Sequence, residues 1–261
     1  SRFANSIALD VAQQTGCVVP SVRPAIFYLN GELQGIYYLS EQINREHWVS
    51  RMGHRNFLMH IHRGPREKES SKNLGALHVK MRDDPYAISL TWAEKHFDLD
   101  NVSRWIFSIV YCGTSDAWQG AAILDKNDPE PKWSWINWDM DHSFWDMYGD
   151  RARRAPWQTE GWERVLVKTD NPGYGKWKAA ADVRAILFCR LINESPEYRE
   201  RFVRLVMDLL NHRVTEMFVN SRVAYYEKLA VSYGLADRQF MQDYRDFAKN
   251  RLHNLSSTHR W

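Results

Sequence analysis

The sequence contains little cysteine and no long apolar run. Its three cysteines, Cys17, Cys112 and Cys189, lie far apart among apolar neighbours. That distribution predicts buried thiols and argues against a disulfide framework or a cysteine-bound zinc. No run of about 18 apolar residues occurs, so we expect no membrane-spanning helix in this sequence.

An excess of charge of one sign is also missing. The chain has 35 basic and 32 acidic residues, a net charge of +3, and the basic residues are spread along its length. Nucleic-acid-binding domains usually concentrate Lys and Arg on one face or in one segment. We therefore expect no nucleic-acid partner.

Tryptophan, by contrast, is abundant, with 12 residues in 261. Indole rings serve equally well in a heavy aromatic core and as surfaces on which flat ligands stack. Composition leaves both interpretations open.

The start of the chain predicts a helix followed by a β-hairpin. Residues 2–15 repeat apolar side chains at helical spacing, and Gly16 follows as a helix stop. Two apolar strands, Ala25–Leu29 and Gly35–Ser40, flank Asn30–Gly31. That dipeptide is the strongest short-range signal for a hairpin turn.

Beyond the hairpin, the pattern predicts a helix over 44–52, a strand over 57–62 and an exposed polar loop over 63–76. Farther along, the helical period dominates and is interrupted by a second hairpin, built from 121–124 and 132–139. Further helices are predicted near 179–193, 196–211, 214–232 and 237–256.

These elements place the chain in the α+β class with two regions. Residues 1–84 are expected to form a small helix-plus-hairpin lobe. Residues 85–261 are expected to form a larger, mainly helical lobe with the short second hairpin at the junction. Helical patterns at both ends are typical of a domain within a longer protein. Because ligand sites favour interfaces between lobes, the junction is the first candidate for a site.

The junction hairpin carries WSWINWDMDHSFWD at 133–146, which places carboxylates among tryptophans. If residues 133–141 are extended, alternate side chains share a face. That face then holds Trp133, Trp135, Asn137, Asp139 and Asp141. Asp139 and Asp141 would lie roughly 6–7 Å apart at the backbone, close enough to share a hydrated Mg²⁺.

A third carboxylate, Asp116 in GTSDAWQG, follows an apolar helix and is a candidate for the same cleft. Simpler interpretations explain the same residues. An Asp-x-Asp pair at the end of a strand is often a solvated turn, and tryptophans in a strand are often core.

Four stretches, taken together and in order, resemble the spore-coat protein H kinase family (CotH), an atypical branch of the protein-kinase-like fold. The first is FYLNGELQGIYYLSEQIN, and the second is the loop with Asp116. The third is WDMD followed by HSFW, and the fourth is LFCRLINESPEYRERFVRLVMDLL. The set spans nearly the whole chain.

The resemblance implies a kinase-like fold and phosphoryl transfer from Mg-ATP, with Mn²⁺ as a possible substitute, to Ser or Thr hydroxyls of a protein. By position, Asp116 resembles the catalytic-loop aspartate that orients or deprotonates the acceptor hydroxyl. Asp141 resembles the metal-binding aspartate, and Asp139 is a second candidate. Gln119 stands where the family typically has a metal-binding Asn. Such chemistry depends mainly on positioning and on charge neutralisation by metal.

The resemblance also implies a nucleotide pocket and a setting. Tyr37 and Trp135 are expected to sandwich the adenine, and Glu41 is expected in the segment that links the lobes. The resemblance also suggests a protein of the spore coat or the cell surface, or a secreted protein. The family's first strands, with the lysine that pairs the nucleotide phosphates, are expected upstream of the opening helix, so catalysis depends on those residues in the full chain.

Two alternatives to an active kinase remain. A pseudokinase or structural surface module would bind a partner through the aromatic cleft. A glycosidase would use Asp116 and Asp141 as paired carboxylates.

Overall fold

The computed structural model describes residues 3–61, 67–84, 88–114, 120–144, 183–235 and 238–257. The helices in these ranges are α1 (Ala4–Thr15), α2 (Arg45–Met52), α3 (Lys68–Asp83), α4 (Leu90–His96), α5 (Leu99–Cys112), α6 (Val183–Glu194), α7 (Pro196–Asp208), α8 (Glu216–Ser232) and α9 (Arg238–Ser257). The strands are β1 (Val22–Leu29), β2 (Glu32–Ser40), β3 (Phe57–Ile61), β4 (Ala121–Asp125) and β5 (Trp133–Ile136). The predicted α+β class is confirmed.

Helix α1 forms where the sequence predicts it. Its apolar positions, including Ile7 and Val11, are fully buried, and Gly16 ends it in the left-handed region at φ 90°. On its other side Asp10 accepts hydrogen bonds from Arg222 (2.7 Å) and Tyr226 (3.0 Å) of α8. These bonds fix α1 against the helical part of the fold.

Strands β1 and β2 form the predicted antiparallel hairpin. Asn30 (φ 51°) and Gly31 (φ 84°) both have positive φ, as a two-residue turn that follows the strand twist requires. One face of the hairpin packs on the core through Val22, Ile26, Ile36 and Tyr38. The opposite face exposes Phe27, Tyr37 and Leu39.

Strands β3, β4 and β5 form a three-stranded antiparallel sheet in that order. One face, which includes Ala122, Trp133 and Trp135, belongs to the main core with α5. The other face packs around Trp48 of α2, with Ile136 among its residues. Since β3 lies in the predicted first region and β4 in the second, the sheet joins them, and the boundary after residue 84 stays a prediction.

The predicted polar loop over 63–76 is wrong for its described part, because α3 begins at Lys68. The Ser, Asn and Gly content of the segment obscured a helical pattern. Ser70, Leu74 and Met81 are the buried side chains among those described in this helix, and they are spaced as its inward face requires.

Helix α5 is the centre of the fold. Twelve of its 14 residues are buried. Asp98 begins the helix by accepting the N–H of Asn101 at 2.9 Å, and Gly113 ends it at φ 59°. At its last turn Arg251 of α9, which is fully buried, donates to the carbonyl oxygens of Tyr111 (2.9 Å) and Val110.

The structure agrees with the expectations for the cysteines and for membrane-spanning helices. All three cysteines lie in the described ranges, are buried and take part in no disulfide. Burial raises the pKa of the Cys17 thiol to about 11. Within the described residues, the helices are too short or too polar to span a bilayer.

The glycine pair Gly120 and Gly75 gives a stability test. A Cβ at Gly120 (φ 137°) would lie 2.8 Å from the carbonyl oxygen of Ile136, whereas at Gly75 in α3 it would meet open space. We expect Gly120→Ala to lower the free energy of unfolding by at least about 2 kcal/mol, because strain and a backbone clash add. Gly75→Ala should raise it by about 0.5–1 kcal/mol. Urea denaturation measures both, and equal effects of the two changes would contradict the close approach of β4 to β5.

Candidate functional site

The candidate site is the segment 137–144, which follows β5 and carries Asp139 and Asp141. Its first residue, Asn137, is 1% exposed. The Asn137 N–H donates to the carbonyl oxygen of Val18 (2.8 Å), and its side-chain amide donates to Ser108 Oγ in α5 (2.7 Å). The segment therefore starts as an extension of the core.

The middle of the segment is held from α1. The N–H of Met140, the residue between the two aspartates, donates to Asn5 Oδ1 at 2.9 Å. The Met140 side chain is 2% exposed. Main chain and side chain of Met140 are thus both anchored.

The end of the segment is held by the C-terminal end of α5. The hydroxyls of Ser143 and Thr114 lie 2.7 Å apart and are both buried. The Phe144 N–H donates to the carbonyl oxygen of Cys112 at 2.8 Å. Residues 137–144 therefore return to the point where α5 ends.

The two aspartates differ from the predicted arrangement. Strand β5 ends at Ile136, and the prediction that 133–141 is extended is wrong from Asp139 onward. Asp139 has φ 57°, and Asp141 lies in a turn. The alternation rule therefore gives no information about the separation of the two carboxylates.

The carboxylates are open to solvent to different degrees. The Asp141 side chain is 56% exposed, and His142 Nε2 lies 3.8 Å from its Oδ1. Asp139 is half-buried. In the described part of the chain, no three His, Cys, Asp or Glu side chains cluster as a metal site, so a cation here would rely on these two carboxylates, on ligands from the rest of the chain and on water or substrate oxygens.

Two predicted site residues, Asp116 and Gln119, lie outside the described residues. The residues on either side of that stretch are described. Thr114 contacts Ser143 of the candidate segment, and Gly120 leads into β4, whose Ala121 pairs with Ile136. One described end of the stretch, Thr114, thus lies next to the segment 137–144. The other end, Gly120, leads into the strand that pairs with β5.

Trp133 and Trp135 are core residues. Trp133 is fully buried, and its Nε1 donates to Asn73 Oδ1 at 2.9 Å. Trp135 is 4% exposed and stacks on Phe97 with ring centres 5.7 Å apart. This corrects the predicted adenine sandwich, because Trp135 has no open face on which a base could stack.

Tyr37, the other half of that sandwich, lies on a different sheet. It is 53% exposed on the outer face of the β1–β2 hairpin, with the Phe27 ring 5.1 Å away. A stacking surface is therefore present at Tyr37, and its use by a nucleotide stays a prediction.

Glu41 follows β2, in the position predicted for a linking segment, but its carboxylate is already engaged. It accepts the N–H of Ser21 at 2.7 Å and lies 3.4 Å from Arg51 and 3.5 Å from His47. The Ser21 hydrogen bond above all, and then the nearby cations, hold the pKa of Glu41 below its ordinary value of 4.5. This side chain ties the base of the hairpin together.

A groove of about 540 Å³ lies elsewhere, on the face of the sheet that carries Ile123 and Ser134. It is rich in carboxylates, but the charged groups in it have partners. Glu94 lies 2.5 Å from Arg201, and Asp98 is the cap of α5. The groove is therefore a weaker candidate than the segment 137–144.

Sequence reasoning missed two polar groups beside the candidate site, the half-buried Asn5 and the buried Arg184. Asn5 gave no signal, because a polar residue in the first turn of a helix is common. Arg184, 3% exposed, lies over the Trp105 ring at 4.0 Å and near Gly120. Its signal was a charged residue in the apolar stretch VRAILFC, where burial demands compensation.

The mixed α+β architecture, with its small antiparallel sheets, agrees with a kinase-like fold. A family model described as CotH kinase protein matches residues 1–258. The chain therefore belongs to the CotH kinase family, as the four stretches of resemblance predicted.

Among individual proteins, the chain is similar to the inner spore coat protein H of Bacillus subtilis (strain 168). The two are 21% identical over 257 residues, a match that covers 88% of this chain and 64% of the relative. The chain thus spans less than two thirds of the length of that relative.

The Glu41 contacts predict a pH-dependent contribution to stability. Because the pKa of Glu41 is lowered on folding, its contribution is present above the unfolded pKa and is lost as pH falls through the folded pKa. We expect Glu41→Gln to lower the free energy of unfolding by about 1 kcal/mol at pH 7, with the difference from wild type shrinking below pH 4.5. Denaturant titrations from pH 3 to pH 7, roughly spanning the carboxylate range, measure it.

Glu46→Gln is the matched control, since Glu46 pairs with Arg55 on an exposed surface and such pairs contribute little. A loss for Glu41→Gln that is the same at all pH values would contradict the assigned ionisation.

Proposed function

We propose that this chain is the kinase-like part of a protein that transfers a phosphoryl group from ATP to a protein hydroxyl. The observation that supports the proposal most is the anchored segment 137–144. It presents two aspartates beside the described ends of the stretch that carries Asp116. Family membership supports the choice of reaction class, and these contacts support the choice of residues.

The donor set fits a hard divalent cation bound together with a substrate. Asp141 is exposed, so its carboxylate can bind a cation without the cost of opening a buried site. Magnesium prefers a few carboxylate oxygens and takes its other ligands from phosphates and water. When bound, Mg²⁺ would neutralise charge on the phosphates.

The residues of this chain would then have separate roles. Asp141 and Asp139 would hold the cation, and the core contacts of Asn137 and Met140 would keep those carboxylates in place. By its place in the sequence, Asp116 would orient the acceptor hydroxyl and accept its proton. Neither Trp135 nor Glu41 has a role in this proposal, since both are engaged in structural contacts.

A non-catalytic partner-binding module is the second candidate. It is favoured by the exposed apolar face of the hairpin, where Phe27, Tyr37 and Leu39 are open to solvent, and by the closed environment of Trp135. This candidate predicts a folded chain without affinity for nucleotides.

Calorimetric titration of ATP with Mg²⁺ or Mn²⁺ distinguishes the two. We expect the wild type to bind ATP only with metal. For Asp141→Asn we expect a Kd about tenfold higher, which corresponds to a loss of about 1.4 kcal/mol of binding free energy. The control is Asp128→Asn in the β4–β5 turn, an aspartate whose Oδ1 accepts the Glu130 N–H at 2.9 Å. It should bind like the wild type.

Equal affinity of Asp141→Asn and wild type would contradict the assignment of the cation to this segment. A wild-type chain with no metal-dependent affinity would favour the partner-binding module. Transfer itself is checked by mass spectrometry of phosphoserine and phosphothreonine in added acceptor proteins.

A further inference from the structure

We infer that Asn5 is a positioning residue for the aspartate pair, an inference that rests on the proposed function of Asp139 and Asp141. Asn5 lies in the first turn of α1, and its Oδ1 accepts the Met140 N–H at 2.9 Å. That N–H belongs to the peptide unit that joins Asp139 to Met140. Asn5 therefore acts on the main chain directly between the two aspartates.

The backbone at this point needs such support. Asp139 has φ 57°, in the left-handed region that residues with a side chain adopt less readily than glycine does. A conformation of this kind persists only when surrounding contacts impose it. The adjacent Met140 supplies those contacts through its buried side chain, its N–H to Asn5 and its carbonyl oxygen, which accepts the Ser143 N–H at 3.2 Å.

Asn5 is supported in turn by the rest of α1. Asp10, on the same helix, is held by Arg222 and Tyr226 of α8, and the inward face of α1 is buried against α5. The position of Asn5 is thus set by a packed helix. A shift of α1 would move the acceptor away from Met140, and the turn that carries Asp139 and Asp141 would lose its hydrogen bond.

The chain offers variants that separate positioning from general stability. Asn5→Ala removes the acceptor. Asn5→Asp keeps an oxygen at the same place and puts a negative charge in the first turn of α1, where the helix dipole favours it. Thr215→Ala removes another side-chain oxygen, which accepts the Phe218 N–H at 3.1 Å at the start of α8. It serves as the control for the loss of one such hydrogen bond in a different helix.

The test combines hydrogen exchange of the Met140 amide, followed by NMR, with calorimetric affinity for Mn²⁺-ATP. We expect Asn5→Ala to speed exchange of this amide and to weaken Mn²⁺-ATP binding, each by about three- to tenfold, which corresponds to one lost hydrogen bond. Asn5→Asp should restore slow exchange and at least wild-type affinity. Thr215→Ala should change neither quantity.

Unchanged Mn²⁺-ATP affinity in Asn5→Ala, with a wild type that binds, would overturn this inference alone. So would a Thr215→Ala variant with the same loss of affinity, since the effect would then follow from stability. A wild type without affinity for Mn²⁺-ATP would overturn the proposed function as well, whereas the exchange rate of Met140 shows in every case whether Asn5 holds this peptide.

Discussion

The carbonyl oxygens at the buried C-terminal end of α5 are the constraint on which the arrangement around the candidate site depends. The last four carbonyls of a helix have no partner within it, and they are costly to bury unsatisfied. Here the Thr114 N–H donates to the carbonyl oxygen of Ile109, and the Gly113 N–H donates to that of Val110. The Arg251 side chain donates to the carbonyl oxygens of Tyr111 and Val110, and the Phe144 N–H donates to that of Cys112. The segment 137–144 and α9 therefore both contact the C-terminal end of α5.

The mixture of tryptophans and aspartates in WSWINWDMD reflects a change of environment within a few residues. Trp133 and Trp135 belong to the sheet and the core, and the strand stops at Ile136. After it, the chain alternates between anchors and exposed groups, with Met140 buried and Asp141 exposed. Trp133 and Trp135 thus pack in the core next to the candidate site and do not line it.

Sequence reasoning succeeded where local rules decide the structure. Asn30–Gly31 specifies its turn by its backbone preferences, and Gly16 ends α1 for the same reason. It failed at α3, where a helical face was hidden by polar residues, and at 137–141, where a strand was expected. Contacts between distant parts of the chain decide the latter segment, and no local pattern reports that Asn5 meets Met140.

The candidate site was predictable to a similar extent. Family resemblance singled out Asp139 and Asp141 as candidates, because their motif is local. It could not predict that the Phe97 ring stacks on Trp135 or that the Ser21 N–H donates to the Glu41 carboxylate. Both contacts join separate elements of the fold. Fold class and family thus followed from sequence, whereas the surroundings of individual side chains required the structure.

Paramagnetic broadening by Mn²⁺-ATP is the most direct test of the central claim that residues 137–144 form the metal side of a phosphoryl-transfer site. In a ¹H–¹⁵N NMR titration of the wild type, the account predicts that the amide signals of Met140 and its neighbours broaden first. Signals of residues around the groove near Glu94 and Arg201 should stay sharp at the same concentration. Broadening centred on that groove, or none that is specific to any region, would contradict the claim.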